Sequence, residues 1–254
     1  MTCWLLLRGL TREARHWGKL PERLVSGLEG VRVLALDLPG NGARWRERSP
    51  TSIGPMVEES RATLELTGQG PPYVLVGMSL GAMVAMAWAS AHADEVIGVV
   101  LINSSSRALS PWHRRLRWHQ LPLLLRILAT RDRRVRERHV LHMTSRHPPQ
   151  PDATLIESWT AWSREFPVSG ANALRQLLAA ARFRGPRTPL HVPVLVLAAT
   201  KDALVDPTCS LALAREWGAE LRVHPTAGHD LPLDDGGWVA EQIADWWRNA
   251  HPQA

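Results

Sequence analysis

The sequence predicts an α/β fold in which a mostly parallel sheet of about six strands is covered by helices. Short apolar runs alternate with helical patterns along most of the chain, as they do in parallel sheets. The 254 residues are enough for one α/β domain with an insertion. Helical patterns without a strand fill the stretch from about 105 to 190. We therefore predict a core of residues 1–104 and 191–254 and a helical lid of residues 105–190.

The apolar and helical patterns give the predicted elements in order. Strands are predicted at Cys3–Leu7, Val31–Leu36, Tyr73–Val76, Val96–Ile102, Val194–Ala198 and Glu220–Val223. Core helices are predicted at Thr11–Leu24, Ile53–Leu66, Leu80–Ala91, Ser210–Trp217 and Gly237–Ala250. In the lid, the patterns indicate helices at Leu121–Ala129 and Ala171–Arg182.

The positive charge of the chain is concentrated in one segment. Residues 107–190 carry 16 Arg, no Lys and five acidic residues, which gives a charge of +11. The rest of the chain carries 14 basic and 19 acidic residues, which gives −5. The lid is therefore the candidate surface for an acidic partner, although a solvated helix face explains the same charge.

The composition, the N-terminus and the cysteines indicate a globular protein of a reducing compartment. Hydrophobic residues make up 45% of the chain, which argues against disorder. The N-terminal apolar run is too short for a signal peptide, and no run approaches a membrane span. Cys3 and Cys209 match neither a disulfide framework nor a metal motif. We expect a cytoplasmic protein with two buried thiols.

The most informative motif is Gly77-Met78-Ser79-Leu80-Gly81. It joins a predicted strand to a predicted helix, which is the setting of a nucleophile elbow. Side chains at Gly77 and Gly81 would collide with the neighbouring strand and helix. Ser79 is therefore the candidate nucleophile, and the helix start beside it favours negative charge.

A serine nucleophile needs a base and a carboxylate that orients the base. Asp202 follows the fifth predicted strand, and His229 follows the sixth. This order of serine, acid and histidine is typical of one hydrolase architecture. Asp206 is the alternative acid, but it precedes Pro207 and could cap the following helix.

Four further motifs in the right order make the chain resemble the α/β-hydrolase superfamily over nearly its whole length. They are Leu5–Leu10, Asp37–Gly42, Ala199–Val205 and Gly228-His229. The resemblance implies that Ser79 is the nucleophile, His229 the base and Asp202 the orienting acid. It also implies an oxyanion hole made by the backbone N–H groups of Leu10 and Leu80.

Two features depart from the pattern of that superfamily. Arg8 stands before Gly9 in the loop that follows the first predicted strand, which we call the first loop. Relatives commonly have histidine at the position of Arg8. The sequence also begins at the strand before that loop, so we expect the usual leading hairpin to be missing. This is why we expect about six strands rather than eight, with the first strand near an edge.

Other polar residues have simpler explanations. We expect Asp37 to shape its turn, and Asp230, Asp234 and Asp235 to be loop or helix-start residues. Asn103 follows the fourth strand, where some relatives carry their acid, but an amide cannot replace a carboxylate.

The predicted lid also contains histidines and tryptophans that are candidate site residues. His139, His142 and His147 lack partners for a metal site, so no metal and no cofactor are expected. Among Trp112, Trp118, Trp159 and Trp162, one or two could line an acyl pocket, and the larger share should pack the lid on the core.

The expected function is a serine hydrolase acting on carboxylic esters or thioesters of small molecules. The substrate could arrive on an acyl carrier protein or coenzyme A, held by the arginines of the lid. Perhydrolases and hydrolases of carbon–carbon bonds share the same triad. The non-enzyme alternative is a silent binding protein with this fold. Nucleic-acid binding is not expected, because no nucleic-acid motif accompanies the arginines. The sequence does not address oligomeric state.

Overall fold

A computed structural model describes residues 2–148 and 152–251 of the chain. Its six strands form one parallel sheet in the order β2-β1-β3-β4-β5-β6. The strands are β1 (Thr2–Leu7), β2 (Val31–Leu36), β3 (Tyr73–Met78), β4 (Val96–Ile102), β5 (Val194–Ala199) and β6 (Glu220–His224). The predicted six-stranded α/β fold is confirmed, and every predicted strand end lies within two residues of the observed one. The first strand is second from the edge, as expected.

Eleven helices and three short 3₁₀ turns connect the strands within the described residues. The helices of the core are α1 (Leu20–Gly27), α2 (Ile53–Glu65), α3 (Leu80–Ala91), α9 (Thr208–Trp217), α10 (Leu231–Asp234) and α11 (Gly236–Ala250). Between β4 and β5 lie α4 (Trp112–Arg115), α5 (Leu121–Ala129), α6 (Arg133–Thr144), α7 (Asp152–Glu165) and α8 (Gly170–Arg182). The 3₁₀ turns are Ala14–Trp17, Gly42–Arg44 and Trp118–Gln120.

Alternation along the strands divides the buried side chains between two faces of the sheet. In β1, Leu5 and Leu7 point to one face, and Trp4 and Leu6 point to the other. The first face packs against α2, α3 and α9, and the second against α1 and α11. Trp4 meets Trp247 of α11 edge to face, with ring centroids 5.1 Å apart. Helices on both faces explain why the strands are continuous apolar runs.

The predicted helix at Thr11–Leu24 is wrong in its first half. Thr11 has a positive φ of 57°, and Gly18 has one of 55°, so the segment contains only a 3₁₀ turn before α1 begins at Leu20. The N–H of Thr11 donates to Oε1 of Gln176 in α8, 2.9 Å away. A tertiary hydrogen bond and two left-handed residues therefore replace the first helical turns.

The candidate site residues follow the carboxyl ends of neighbouring strands. Ser79 follows β3, Asn103 follows β4, and Arg8 follows β1. Asp202 and His229 lie in the loops after β5 and β6. The chain places β2 on one side of β1 and β3 on the other, and ligands bind at such switch points of open α/β sheets.

The helices α4–α8 occupy the segment that we predict to be a lid. Helices α6 and α7 pack through a small core of their own, formed by Leu141, Leu155, Ile156 and Trp159. Helix α8 is held to the core loops by Gln176, whose amide donates to Oδ1 of Asn41 at 2.7 Å. The boundaries at 105 and 190 stay a prediction.

Candidate active site

Ser79 lies on a strained turn between β3 and α3. Its φ of 52° and ψ of −112° belong to a region that costs a non-glycine residue about 1–3 kcal/mol. A Cβ on Gly77 would lie 2.5 Å from Cα of Ala82, and one on Gly81 would overlap the carbonyl oxygen of Leu7. The two flanking glycines are therefore required by close backbone approach, as the sequence predicted. The turn lets the Ser79 side chain reach the cleft above the sheet.

The imidazole of His229 is held by Asp202. Nδ1 of His229 lies 2.7 Å from Oδ2 of Asp202, and both side chains are buried. The other carboxylate oxygen of Asp202 accepts the N–H groups of Leu204 at 2.8 Å and Val205 at 2.9 Å. The loop after β5 thus fixes the carboxylate before it meets the imidazole. This arrangement leaves Nε2 as the ring nitrogen that can accept a proton from a nucleophile.

Asp206, the alternative acid, has other partners. Its Oδ1 accepts from the N–H and the hydroxyl of Thr208, at 3.0 and 2.7 Å. Its Oδ2 lies 3.3 Å from Nη2 of Arg117. The geometry therefore brings Asp202, and not Asp206, to His229.

Ser79, His229, Gly9 and Leu10 line one cleft of about 1260 Å³, counting its open mouth. A Cβ on Gly9 would lie 3.4 Å from Cβ of Ser79, so the first loop sits directly against the candidate nucleophile. Among the hydrogen bonds of the described residues, none involves the Ser79 hydroxyl or the N–H groups of Leu10 and Leu80. These donors and the hydroxyl are therefore available to a substrate in the cleft.

The sequence model of the alpha/beta hydrolase family matches residues 4–242. This chain belongs to the alpha/beta hydrolase family. The matched range includes every residue placed in the candidate site.

Proteins similar to this chain include a lipase by sequence and two esterases by structure. Lipase LipV of Mycobacterium tuberculosis is 36% identical over 100 residues, which cover 39% of this chain and only 36% of that protein. A thermophilic esterase from Thermogutta terrifontis has a TM-score of 0.74 at 24% identity and covers 99% of this chain and 91% of its own. An esterase from Exiguobacterium antarcticum has a TM-score of 0.78 at 16% identity, with coverages of 97% and 91%. The two structures agree with the fold described above.

Arg8, the departure from the family pattern, forms a buried ion pair. Its Nη1 and Nη2 donate to the carboxylate of Asp230, at 3.2 and 2.6 Å. Nη1 also lies 3.2 Å from Sδ of Met78, the residue before Ser79. Arg8 thus joins the first loop, the elbow and the loop that carries His229. Asp230 lies at the start of α10, as expected, but its carboxylate also balances a buried guanidinium, which the sequence does not indicate.

Asn103 is a second positioning residue that the sequence did not reveal. Its amide donates to the carbonyl oxygens of Gly228 at 3.2 Å and His229 at 2.8 Å. Its Oδ1 accepts the N–H of Ala199 at 2.9 Å. The amide is therefore suited to this position, because it must donate and accept at once. The sequence indicates only that Asn103 cannot serve as the acid.

Asp37, Asp234 and Asp235 each hold a different part of the backbone near the site. Asp37 shapes its turn, as predicted, by accepting the N–H groups of Ala14 at 2.8 Å and Ala43 at 2.9 Å. Asp235 caps α11 through the N–H of Trp238 at 2.9 Å. The carboxylate of Asp234 instead accepts the N–H of Gly228 at 2.6 Å and binds the segment after α6. Asp234 therefore links the loop that carries His229, which we call the histidine loop, to the predicted lid.

The tryptophans of the predicted lid divide into two groups. Trp159 and Trp162 line the cleft and pack on His16, with ring centroids 5.3 and 5.2 Å away. Trp112 and Trp118 are 68% and 66% exposed. The expectation that most of the four pack on the core is wrong for the second pair.

Neither a metal centre nor a membrane span is found in the part of the chain that the structure describes. Over residues 2–148 and 152–251, no three His, Cys, Asp or Glu side chains are grouped as metal ligands. Within the same residues, every helix is too short or too polar to cross a bilayer.

Proposed function

We propose that this chain is a serine hydrolase that cleaves carboxylic esters or thioesters through an acyl-enzyme at Ser79. The observation that carries the proposal is the 2.7 Å contact between Nδ1 of His229 and Asp202, beside a cleft that also holds the strained Ser79. Membership in the alpha/beta hydrolase family and the similarity to lipases and esterases support the same reaction.

In the first half of the reaction, Oγ of Ser79 attacks the acyl carbon while Nε2 of His229 removes the hydroxyl proton. Asp202 stabilises the imidazolium that forms and keeps Nδ1 protonated. The negative oxygen of the tetrahedral intermediate accepts hydrogen bonds from the N–H groups of Leu10 and Leu80, each worth about 3–4 kcal/mol. The intermediate collapses when the bond to the leaving group breaks, and His229 returns the proton to the leaving alcohol or thiol.

In the second half, water replaces the leaving group. His229 takes a proton from the water as its oxygen attacks the acyl carbon of the Ser79 ester. Collapse of the second tetrahedral intermediate breaks the bond to Oγ, and His229 gives the proton back to Ser79. The carboxylic acid leaves, and the enzyme returns to its starting state.

A fluorophosphonate probe tests this mechanism directly. It should label the folded chain once, at Ser79, and the Ser79→Ala variant should not be labelled. A panel of nitrophenyl esters of increasing acyl length, run with the same variant, then measures the size of the pocket. If the folded protein resists the probe, or if labelling falls elsewhere, the proposed mechanism is wrong.

Delivery of the acyl group on coenzyme A or an acyl carrier protein is the second candidate. Its support is the exposed arginine set of the predicted lid, which has Trp112, Trp118 and Leu125 exposed nearby. The exposed arginines of this segment include Arg107, Arg114, Arg126, Arg131, Arg134 and Arg138. Turnover of carrier-linked acyl groups should exceed that of free thioesters at low salt and lose the advantage as salt rises. Equal turnover of both at every salt concentration would exclude this form of delivery.

A further inference from the structure

The end of the cleft that faces the start of α6 is lined by charged side chains. Arg133, Arg136 and Glu137 line it from α6, and Arg12 lines it from the loop after β1. We call these four residues the arginine end of the cleft. Further along the same face of α6, the lining becomes apolar at Val140 and Met143.

The charges at the arginine end do not cancel. Nη1 of Arg12 lies 2.7 Å from the carboxylate of Glu137, and both side chains are about nine-tenths buried, with 10% and 8% exposed. Within residues 2–148 and 152–251, neither Arg133 nor Arg136 has a carboxylate within ion-pair distance. The other lining acids have their own partners, since Asp230 binds Arg8 and Glu13 binds Arg15. Two positive charges therefore remain in the cleft without a carboxylate.

Two buried donors at this end also have no acceptor. Among the described residues, Nη2 of Arg12 and Nε of Arg136 are buried and make no hydrogen bond. A buried donor without a partner destabilises the folded protein, and more so when the donor is charged. An anionic group of a ligand would satisfy both donors and balance the charge.

His16 is neutral here, so it accepts a hydrogen bond but does not change the net charge of the arginine end. Burial, together with the positive charges of Arg12 and Arg8, lowers the pKa of His16 well below its ordinary range. Its Nε2 lies 3.0 Å from Nη1 of Arg12 and can accept that donor. The guanidinium of Arg12 also stacks on Trp159, 4.4 Å from the ring centroid. These contacts hold Arg12 in place and leave its Nη2 for another partner.

The separation along α6 sets the length of a ligand that would reach the arginine end. The carbonyl of Thr144, at the far end of α6, accepts the N–H of Asp230 at 2.7 Å, so that end lies beside the histidine loop. Arg136 precedes Thr144 by eight residues, which is about 12 Å along a helix axis. A chain of several methylene groups along the apolar face would span this distance.

We propose that the arginine end binds a terminal carboxylate, so that the preferred substrates are monoesters of straight-chain dicarboxylic acids. The ester group lies at Ser79, the methylene chain lies on the apolar face of α6, and the free carboxylate meets Arg136 and Arg12. Guanidinium groups bind carboxylates with two parallel hydrogen bonds, which suits them to this task. The inference rests on the proposed esterase function and names its substrate class.

Matched substrate pairs test the proposal. Mono-nitrophenyl esters of dicarboxylic acids with six and eight carbons are compared with nitrophenyl esters of the monocarboxylic acids of the same lengths. The ratio of their kcat/KM values isolates the terminal carboxylate. Because hydrogen bonds between charged groups are stronger than neutral ones, we expect the wild type to favour the anionic ester by about tenfold or more at one length.

Arg136→Met should remove most of this preference, and Arg136→Lys should restore part of it. Arg138→Met is the matched control, because Arg138 is exposed on α6 and does not line the cleft, so it should keep the wild-type ratio. A wild type without any preference at either length, or an Arg136→Met variant that keeps the preference, would overturn the inference. Failure of the esterase function itself is distinct, because the wild type would then hydrolyse neither ester faster than Ser79→Ala.

Discussion

The end of the cleft at Ser79, which we call the catalytic end, differs from the arginine end in how completely its charged side chains are paired. At the catalytic end, Asp202, Asp230 and Asn103 each use both of their side-chain polar atoms in hydrogen bonds to neighbouring loops. Among the described residues, Arg8 keeps a buried donor, its Nε, without an acceptor, as Arg12 and Arg136 each keep one at the arginine end. Arg8 is nevertheless paired with the carboxylate of Asp230, whereas Arg136 has no carboxylate within ion-pair distance among the same residues. The charged groups of the catalytic end are therefore paired before a substrate arrives, whereas we propose that a substrate carboxylate pairs with the arginine end. Groups that are held in place before binding favour the rate of the reaction. Donors that only the right ligand can satisfy favour selectivity among substrates.

The largest effect is expected from breaking the catalytic end at Asp202. In Asp202→Asn, the amide cannot stabilise the imidazolium, so kcat on a nitrophenyl ester should fall by about 10⁴-fold. Asp206→Asn is the matched control, since Asp206 binds Thr208 and Arg117, and its kcat should stay within about threefold of wild type. A smaller loss for Asp202→Asn than for Asp206→Asn would reverse the assignment of the acid.

Removal of one partner of the Arg8–Asp230 pair should be the next largest effect. Arg8→Met leaves a carboxylate that is 4% exposed without its cation, so the free energy of unfolding should fall by about 3–5 kcal/mol. The double variant Arg8→Met/Asp230→Leu removes both charges and should regain most of that loss in urea denaturation. Its kcat should stay below wild type, because the tie between the first loop and the histidine loop is gone. Wild-type stability of the single variant would show that the pair does not hold these loops.

The sequence predicted the sheet, the elbow and the order of the acid and histidine, because local patterns encode these features. Apolar runs define the strands, and Gly77 and Gly81 reflect short-range crowding around Ser79. The Arg8–Asp230 pair joins residues 222 positions apart, so no local pattern announces it. The signal that could have found it was the replacement of the family's histidine by a cation that needs a buried counter-ion.

Two predictions were wrong for a related reason, namely the helix at Thr11–Leu24 and the packing of Trp112 and Trp118 on the core. Thr11 takes a left-handed conformation that is coupled to Gln176, far along the chain. A helical pattern shows which residues are apolar, but the tertiary fold decides which of them are covered. Tertiary contacts therefore override local propensity at the rim of the cleft.

A pH-dependent effect of intermediate size is expected at His16, which packs between the first loop and α7. Its folded pKa lies below the unfolded value of about 6.5, so the unfolded state binds the proton first as pH falls. The stability from neutral His16 is present above pH 6.5 and is lost at lower pH, by about 1 kcal/mol between pH 7.5 and 5.5. His16→Gln should lack this part of the pH slope in urea denaturation. His119→Gln, at an exposed position, should keep the wild-type slope, and a wild-type slope in His16→Gln would contradict the prediction.

The smallest effect on stability is expected on the outer surface of the predicted lid. Trp112 and Trp118 are about two-thirds exposed, so Trp112→Ser and Trp118→Ser should each change the free energy of unfolding by less than about 0.5 kcal/mol. Trp159 is only 2% exposed and packs on Arg12 and His16, so Trp159→Ala should lower it by about 3–5 kcal/mol. Thermal denaturation of the three variants would compare the two surfaces of the predicted lid directly. A large loss from either exposed position would mean that the outer surface is covered in solution, and the lid would then be stabilised from both sides.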